Sequence, residues 1–340
     1  MIPRLHIQFP CKQQRIFWGG VEYTPASNEY LINHARTGIV IALQTALPQG
    51  GRVGVVAYNC HTVANAVVQG GCTPVFIDVT PDLHIDLQHL AKLEVDAIVV
   101  TNLFGIRNDI EQIRQSLPNA IIIVDNAHGY GLSVEGDFCV YSINQGKFPS
   151  LGEGGLLFVQ NAAYQSAIRE LYKTLPAHTR KQEIKLFAKM LAKALLYHPC
   201  IYGITMRGKK QRSSHADQSK IILRRMPKGV SRMYQHYLAS DSQAIQQQLA
   251  NASQLRDTLL SHPQVQEVFW GENAFMAIAR CQDVAAVQQW FASRGIETAT
   301  HFSHAIHWAQ EFGYQPGSSP MAEKLTKELL MIPTYVRCTV

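Results

Sequence analysis

The chain has 340 residues, a formal net charge of +6 at pH 7, 46% hydrophobic residues and 16% charged residues. That length suits a large core and two domains, and the composition is that of an ordinary folded enzyme with somewhat few charges. No apolar run reaches the ~18 residues of a membrane span, and the N-terminus, MIPRLHIQFPCKQQR, lacks the apolar core and small-residue cleavage site of a signal peptide.

A cytoplasmic protein is expected. The seven cysteines (Cys11, Cys60, Cys72, Cys139, Cys200, Cys281 and Cys338) form an odd set without metal-like spacing. They read as reduced thiols, and no metal is expected.

In chain order, residues 1–30 read as an extended arm anchored by Phe17, Trp18 and Tyr23. Such an arm packs on a partner subunit or on its own edge, and both readings stand. NHARTGIVIALQTAL follows, with apolar residues at helical spacing. Thr37 and Gly38 sit at its start, where free N–H groups and a small residue suit a phosphate. An ordinary helix cap is the plainer reading.

The stretch RVGVVAYNCHTVANAVVQGGCTPVFIDV predicts strand 53–58, helix 62–69 closed by Gly70-Gly71, and strand 74–79. This βαβ alternation argues for a parallel sheet. A further strand, 97–101, runs into NLFGIRNDIEQI, where Asp109 is a helix cap.

The organising stretch is IIIVDNAHGYGLSVEGDFCVYSINQGKFPSLGEGGLLFV. Two apolar strands end in Asp125 and Ser142, followed by Lys147 and Gly152-Glu153-Gly154-Gly155. They deliver an acid and a lysine to the carboxyl edge of the sheet, where ligands of open α/β sheets sit. Taken singly, a strand-end Asp is more often a cap and a lone Lys a solvated charge. Together they suit pyridoxal 5'-phosphate. That cofactor needs a lysine for its Schiff base, a carboxylate to keep its ring nitrogen protonated, and hydroxyl or N–H donors for its phosphate. Asp125, Lys147, Ser142 and the Thr37-Gly38 turn can supply these.

Residues 169–232 carry sixteen Lys and Arg against Glu170, Glu183 and Asp217. Lys185, Lys189 and Lys193 recur on one helical face beside Leu186, Phe187, Met190, Leu191, Leu195 and Leu196. This basic amphipathic helix, 185–196, packs on its own domain or a dimer partner, lies weakly on an anionic membrane surface, or steers an anionic nucleotide. No nucleic-acid motif is present. A helix over about 234–261 leads to a small α/β domain with strands, a helix ending at Gly295, and the closing run LLMIPTY. The domains divide at 1–240 and 241–340.

VDNAHGYG followed by DFCVYSINQGKFPSLGEGG resembles the signature of the DegT/StrS-type nucleotide-sugar aminotransferases, fold-type-I pyridoxal-phosphate enzymes. The similarity runs from about residue 35 to 160 and returns over about 256–335. It implies an α/β fold with a mostly parallel central sheet, helices on both faces and a smaller C-terminal α/β domain. It also implies a homodimer with active sites at the interface. By the match, Lys147 is the Schiff-base lysine, Asp125 pairs with the ring nitrogen, Ser142 meets the phosphate, and His128 stands near the cofactor hydroxyl. Thr37-Gly38 corresponds to the phosphate turn. Cys60 aligns with the family's ring-stacking aromatic, so Tyr58 or His61 stacks instead, with His61 preferred.

Asn102 to Gly105 line the pocket. GIETATHFSHAIHW resembles the strand-loop that gives substrate contacts, here His301 or His307. The family's cross-subunit Asn motif is met only by Gly229 to Met233, where Ser231 or Arg232 substitutes. The implied reaction is amino transfer from a donor such as L-glutamate to a keto nucleotide-sugar, in amino-sugar or surface polysaccharide synthesis. Lys147 disfavours the dehydratase branch, in which histidine replaces it. Two rivals remain open: a relative acting on a non-sugar substrate, and a non-catalytic binding or regulatory protein of the same fold.

Overall fold

The computed structural model describes residues 1–3, 14–205 and 215–335. The main sheet contains β1 (Glu29–Ile32), β2 (Arg52–Val56), β3 (Thr73–Ile77), β4 (Ala97–Thr101), β5 (Ile121–Asn126), β6 (Phe138–Ser142) and β7 (Gly155–Val159). Their order is β1-β7-β6-β5-β4-β2-β3. β3, β2, β4, β5 and β6 run parallel, and β7 alone runs antiparallel to its neighbours. The mostly parallel sheet expected from the βαβ alternation is present.

The central strands are apolar throughout because both faces are covered. Ile98, Val100, Ile122, Val124, Cys139 and Tyr141 join one core; Ala97, Val99, Ile123, Phe138 and Val140 join the other. The helices are α1 (Gln14–Gly19), α2 (Ala35–Ala46), α3 (His61–Gln69), α4 (Leu87–Leu90), α5 (Ile110–Ser116), α6 (Ala162–Thr174), α7 (Arg180–Leu196), α8 (Pro199–Thr205) and α9 (Lys228–Tyr237). α2, α3 and α6 bury Ile39, Val67 and Ile168 on one face. α4, α5, α7 and α9 bury Leu90, Ile113, Met190 and Met233 on the other.

α10 (Asp241–Leu260) leads to a second sheet of β8 (Val265–Phe269), β9 (Met276–Cys281) and β10 (Leu329–Pro333), ordered β10-β9-β8 and antiparallel. Leu255 and Leu259 of α10 and Val287 and Phe291 of α11 (Val284–Ser293) fill its core. Two short helices, α12 (Ala305–Gln310) and α13 (Pro320–Glu328), complete the small unit. Asp78, buried at the end of β3, accepts the N–H groups of Met321 and Ala322 (3.0 and 2.7 Å) and so ties α13 to the main sheet.

The arm expected over 1–30 is corrected within the described residues. Gln14–Gly19 is a helix, and Phe17 is fully buried against Gly229, where any Cβ would strike its ring at 2.5 Å. Trp18 packs on Phe187 of the same chain. Residues 4–13 lie outside the described set. The basic segment folds as α7, capped by Thr179 and Gln182 in a reciprocal box. Its expected apolar face is divided: Met190 is buried, while Leu195 and Leu196 are 45% and 48% exposed. Arg207, Lys209, Lys210 and Arg212 lie outside the described residues. Among those described, no helix is long and apolar enough to cross a membrane.

Candidate active site

The parallel strands end together, and their last residues form the floor of the site. Thr101 of β4 lies beside Asp125 of β5 in register. Asp125 is 3% exposed. Its Oδ1 accepts the Ala127 N–H at 3.0 Å. Among the described residues its Oδ2 meets the Thr101 hydroxyl, at 3.5 Å, and that hydroxyl accepts from the Asn59 amide at 2.9 Å. Burial pushes the Asp125 carboxyl above the usual carboxylate range, against the opposing pull of the Ala127 amide and the Lys147 charge. A buried carboxylate with acceptor capacity left over calls for a cationic N–H donor.

Lys147 stands on the loop joining β6 to β7. The loop is pinned by its own backbone, with Ile143 donating to Gly154, Leu151 to Ile143 and Gln145 to Gly152 (3.0, 2.9 and 2.9 Å). The Asn144 side chain accepts the Gly154 N–H at 2.9 Å and meets the His34 ring. From this base, Lys147 Nζ lies 2.7 Å from His128 Nε2. His128 is stacked between Phe104 and Phe275, with ring centroids at 5.3 and 4.9 Å. Burial, then the Lys147 and His301 charges, hold its pKa well below the ordinary value, so the ring is neutral. Its Nδ1 accepts the Phe104 N–H at 3.3 Å. A neutral imidazole with one accepting nitrogen carries its proton on the other. Nε2 and Nζ share one hydrogen bond, which holds the lysine against the stacked ring. Phe104 itself holds a left-handed conformation, φ 54°, which is costly for a bulky residue and characteristic of functional turns.

The third part of the site is the start of α2. Ser142, last residue of β6, pairs in register with Gly155. A Cβ at Gly155 would lie 2.7 Å from Ala35 N and 2.8 Å from the His34 carbonyl carbon. The missing side chain lets the first turn of α2 sit against the β6–β7 edge. His34, the N-cap, makes no side-chain cap bond, so the leading N–H groups of this 12-residue helix have no side-chain cap, as at an anion-binding end.

The other expected site residues fall in varied places. Thr37 donates to Asn33 Oδ1 at 2.8 Å and is fully buried. At Gly38, a Cβ would meet Val140 and Ile32 at 2.6 and 2.9 Å, so its role is close packing of helix on strand. The uncapped N–H groups of Ala35 and Arg36 precede both. His61, first residue of α3, stands edge-on to Trp308 at 5.0 Å. Tyr58 is buried edge-on to Phe302 at 5.4 Å.

Asn102 uses its side chain within the loop, donating to Asn126 Oδ1 (2.7 Å) and accepting from the Asn108 backbone (2.9 Å). Its side chain is buried in the loop network. His301 does reach the site, 5.6 Å from the His128 ring. His307 does not: it is exposed on α12, facing His304. Arg232 is also corrected. It lies within α9, donates to the Phe17 and Trp18 carbonyls and pairs with Glu22 at 2.8 Å, anchoring α1. A second Arg-Met pair, Arg225-Met226, precedes α9, and Met226 lies beside Gly154 of the lysine loop.

Residues not singled out from sequence are Asn59, Thr101 and Phe275, which support Asp125 and His128, and the His34–Glu153–His178 cluster; Phe104 lies in the Asn102–Gly105 stretch expected to line the pocket. Both histidine Nε2 atoms stand 3.7 Å from Glu153 Oε1. Burial, then the Arg36 charge, lowers the His34 pKa to about 4.

Comparison with known proteins gives a consistent picture. Residues 22–340 match the model of the DegT/DnrJ/EryC1/StrS aminotransferase family. A curated relative, the dTDP-4-amino-4,6-dideoxy-D-glucose transaminase of Escherichia coli, is 27% identical over 121 residues, 34% of this chain. The match spans about a third (32%) of that relative's length. Among solved structures, the sugar aminotransferase CalS13 from Micromonospora echinospora superposes with a TM-score of 0.74 at 17% identity, covering 98% of this chain and 95% of that one. The aminotransferase TlmJ from Streptoalloteichus hindustanus gives 0.71 at 16%, covering 98% and 92%. An Escherichia coli GDP-4-keto-6-deoxy-D-mannose-3-dehydratase with bound hydrated PLP gives 0.66 at 16%, covering 96% and 87%. The fold is that of these fold-type-I enzymes.

Proposed function

Because this chain belongs to the DegT/DnrJ/EryC1/StrS aminotransferase family, we propose that it is a pyridoxal-phosphate-dependent aminotransferase. It moves an amino group from an amino acid donor such as L-glutamate to the keto carbon of a nucleotide-linked sugar. The observation that carries the reading is the convergence of Asp125, Lys147 and His128 on one sheet edge, with Lys147 Nζ 2.7 Å from His128.

The donor set fits the cofactor. Asp125 is a buried carboxylate with spare acceptor capacity, suited to a protonated ring nitrogen. Ser142 and the leading N–H groups of α2 suit a phosphate. Lys147 suits the carbonyl end. When bound, the cofactor supplies the electron sink that makes amino transfer possible.

The chain's own residues do the rest. With the cofactor bound, Lys147 would hold its carbonyl end, positioned by the His128 ring 2.7 Å away. With the cofactor and donor bound, Nζ would be the base placed to move a proton between carbons of the substrate. A cationic ring nitrogen would offset the burial that disfavours the Asp125 charge. His301 lies close enough to line the substrate side; the aromatic wall of Phe104, Phe275 and Phe302 excludes water.

We read the protein as a homodimer of the cytoplasm. Ile184, Leu195, Leu196 and Ile201 are exposed at 42–52% on α7 and α8 and offer an apolar face to a second copy. Weak contact of this face with an anionic membrane is the alternative, and it would fade with salt. The function is tested by release of 2-oxoglutarate from L-glutamate in the presence of keto nucleotide-sugars. The wild type is expected to turn over with at least one of them and Lys147→Ala with none; equal rates for both would overturn the reading.

A further inference from the structure

The small unit reaches the lysine through one turn. Residues Gly271 to Ala274 close it just before β9, with the Ala274 N–H donating to the Gly271 carbonyl at 2.9 Å. This turn meets the one that carries Phe104: the Glu272 N–H donates to the Gly105 carbonyl at 3.0 Å. A Cβ on Gly271 would strike the Gly105 backbone, and one on Gly105 would strike the Asn273 carboxamide. The two turns interlock only because both positions are glycine. Phe104, Gly105 and Ala274 all hold positive φ, 54°, 82° and 44°. Such backbone persists where its surroundings fix it, and it gathers at functional sites.

Asn273 stands at the centre of this contact and is 2% exposed. Its Nδ2 donates to the His128 carbonyl at 2.8 Å and to the Tyr130 carbonyl at 3.0 Å, while its Oδ1 accepts the Phe275 N–H at 3.0 Å. Closing the turn needs only the Oδ1 bond. The two N–H bonds cross to residues 145 and 143 positions back along the chain. Each residue they hold touches the lysine loop from its own side. His128 Nε2 meets Lys147 Nζ at 2.7 Å, and the Tyr130 ring stands edge-on to Phe148 at 6.0 Å. The turn is braced from behind, where the Thr334 hydroxyl donates to the Ala274 carbonyl and Asn251 donates to the Thr334 carbonyl.

We propose that Asn273 is a positioning residue for Lys147. It fixes the main chain under His128 and Tyr130, and the rings of those two residues fix the lysine and its loop. This rests on the aminotransferase reading for its consequence, since a reacting group displaced by about 1 Å loses much of its rate.

Asn273→Ser tests it. A serine hydroxyl can still close the turn on the Phe275 N–H, but it is too short to reach the loop carbonyls and brings no charge. Thr334→Val is the structural control, because it loosens the same turn from behind and leaves the crossing bonds in place. The pH midpoint of the lysine-bound cofactor's visible band, and the rate at which L-glutamate bleaches it, are measured for each. Asn273→Ser is expected to move the midpoint by about half a unit or more and to slow bleaching about tenfold, at an unchanged half-saturating glutamate concentration. Thr334→Val is expected to move neither. In a His128→Leu background Asn273→Ser should move the midpoint no further, because only His128 carries the effect to Nζ. Asn273→Thr, which fills more of the space, repeats the test if the serine variant does not fold. A midpoint that stays in place while Tm falls, one that moves equally in Thr334→Val, or a full further shift in the His128→Leu background would overturn the proposal. A wild type without the band would instead count against the aminotransferase reading. The positioning role is then read in the cofactor-free protein, from the pH profile of formaldehyde methylation of Lys147 followed by mass spectrometry; the same shift in Asn273→Ser supports it and an unmoved profile overturns it.

Discussion

Lys147 Nζ and His128 Nε2 stand 2.7 Å apart, and the Phe104 amide holds the imidazole from its far side at 3.3 Å. The turn, the stacked rings and the loop that fix this contact lie on three different stretches of chain. Replacing His128 by Leu keeps an apolar side chain in the stack but removes the ring N–H. It also leaves the Phe104 N–H without its acceptor, at about 1–3 kcal/mol. The pH midpoint of the lysine-bound cofactor's visible band is expected to move by about one unit. A His128 that served only as packing would leave that midpoint in place while lowering Tm.

Asp125 gives a cleaner separation of chemistry from folding. Asp125→Asn conserves shape, and the Ala127 N–H still has an oxygen to meet. The folded state, in which burial disfavours the charge, loses little, so Tm stays close to wild type. The rate of amino transfer falls by at least about 100-fold, because nothing negative then faces the ring nitrogen. Wild-type turnover in this variant would remove Asp125 from the account.

Gly155→Ala tests the docking of α2. The new Cβ would meet the backbone of His34, Ala35 and Tyr141 at 2.7–2.9 Å, and backbone cannot move aside as a side chain can. A loss of roughly 1–3 kcal/mol in urea unfolding is expected, with weaker cofactor retention as the helix end withdraws from Ser142. An unchanged affinity for the cofactor would show that the anion end of α2 plays no part.

His34 makes stability depend on pH. Its pKa in the folded protein is about 4, against an ordinary value near 6.5. Above pH ~6.5 the ring is neutral in both states and the contribution is fully present. As pH falls toward 4, the unfolded chain takes up the proton first, and stability is lost, by on the order of 3 kcal/mol at most. Unfolding free energies at pH 7 and pH 4.5 should therefore differ less in His34→Asn than in wild type. Equal differences would place the His34 ring in water.

Much of this site was legible in the sequence because its chemistry is local. Asp125 and Ser142 each end an apolar run, and Lys147 follows within five residues, so strand periodicity alone carries them to one edge. The parallel sheet was legible for the same reason. What was not legible depends on distant packing. Thr37-Gly38 looked like a phosphate turn, but Gly38 faces Val140 and Thr37 bonds Asn33; the uncapped N–H groups are those of Ala35 and Arg36, one and two residues earlier. Arg232 looked like a substrate contact, yet the α9 helix turns it toward α1. No local pattern told it apart from Arg225. The support of His128 by Phe104 and Phe275 joins residues 24 and 147 positions away, beyond the reach of any short-range rule.

The most direct test is the visible absorption spectrum of the purified protein with added pyridoxal phosphate, before and after L-glutamate, beside Lys147→Ala. The account predicts a yellow band in the wild type that bleaches with glutamate, and no such band in the variant. A wild type without the band, or a variant that retains it and bleaches equally, would contradict the assignment of Lys147 and with it the catalytic reading of this fold.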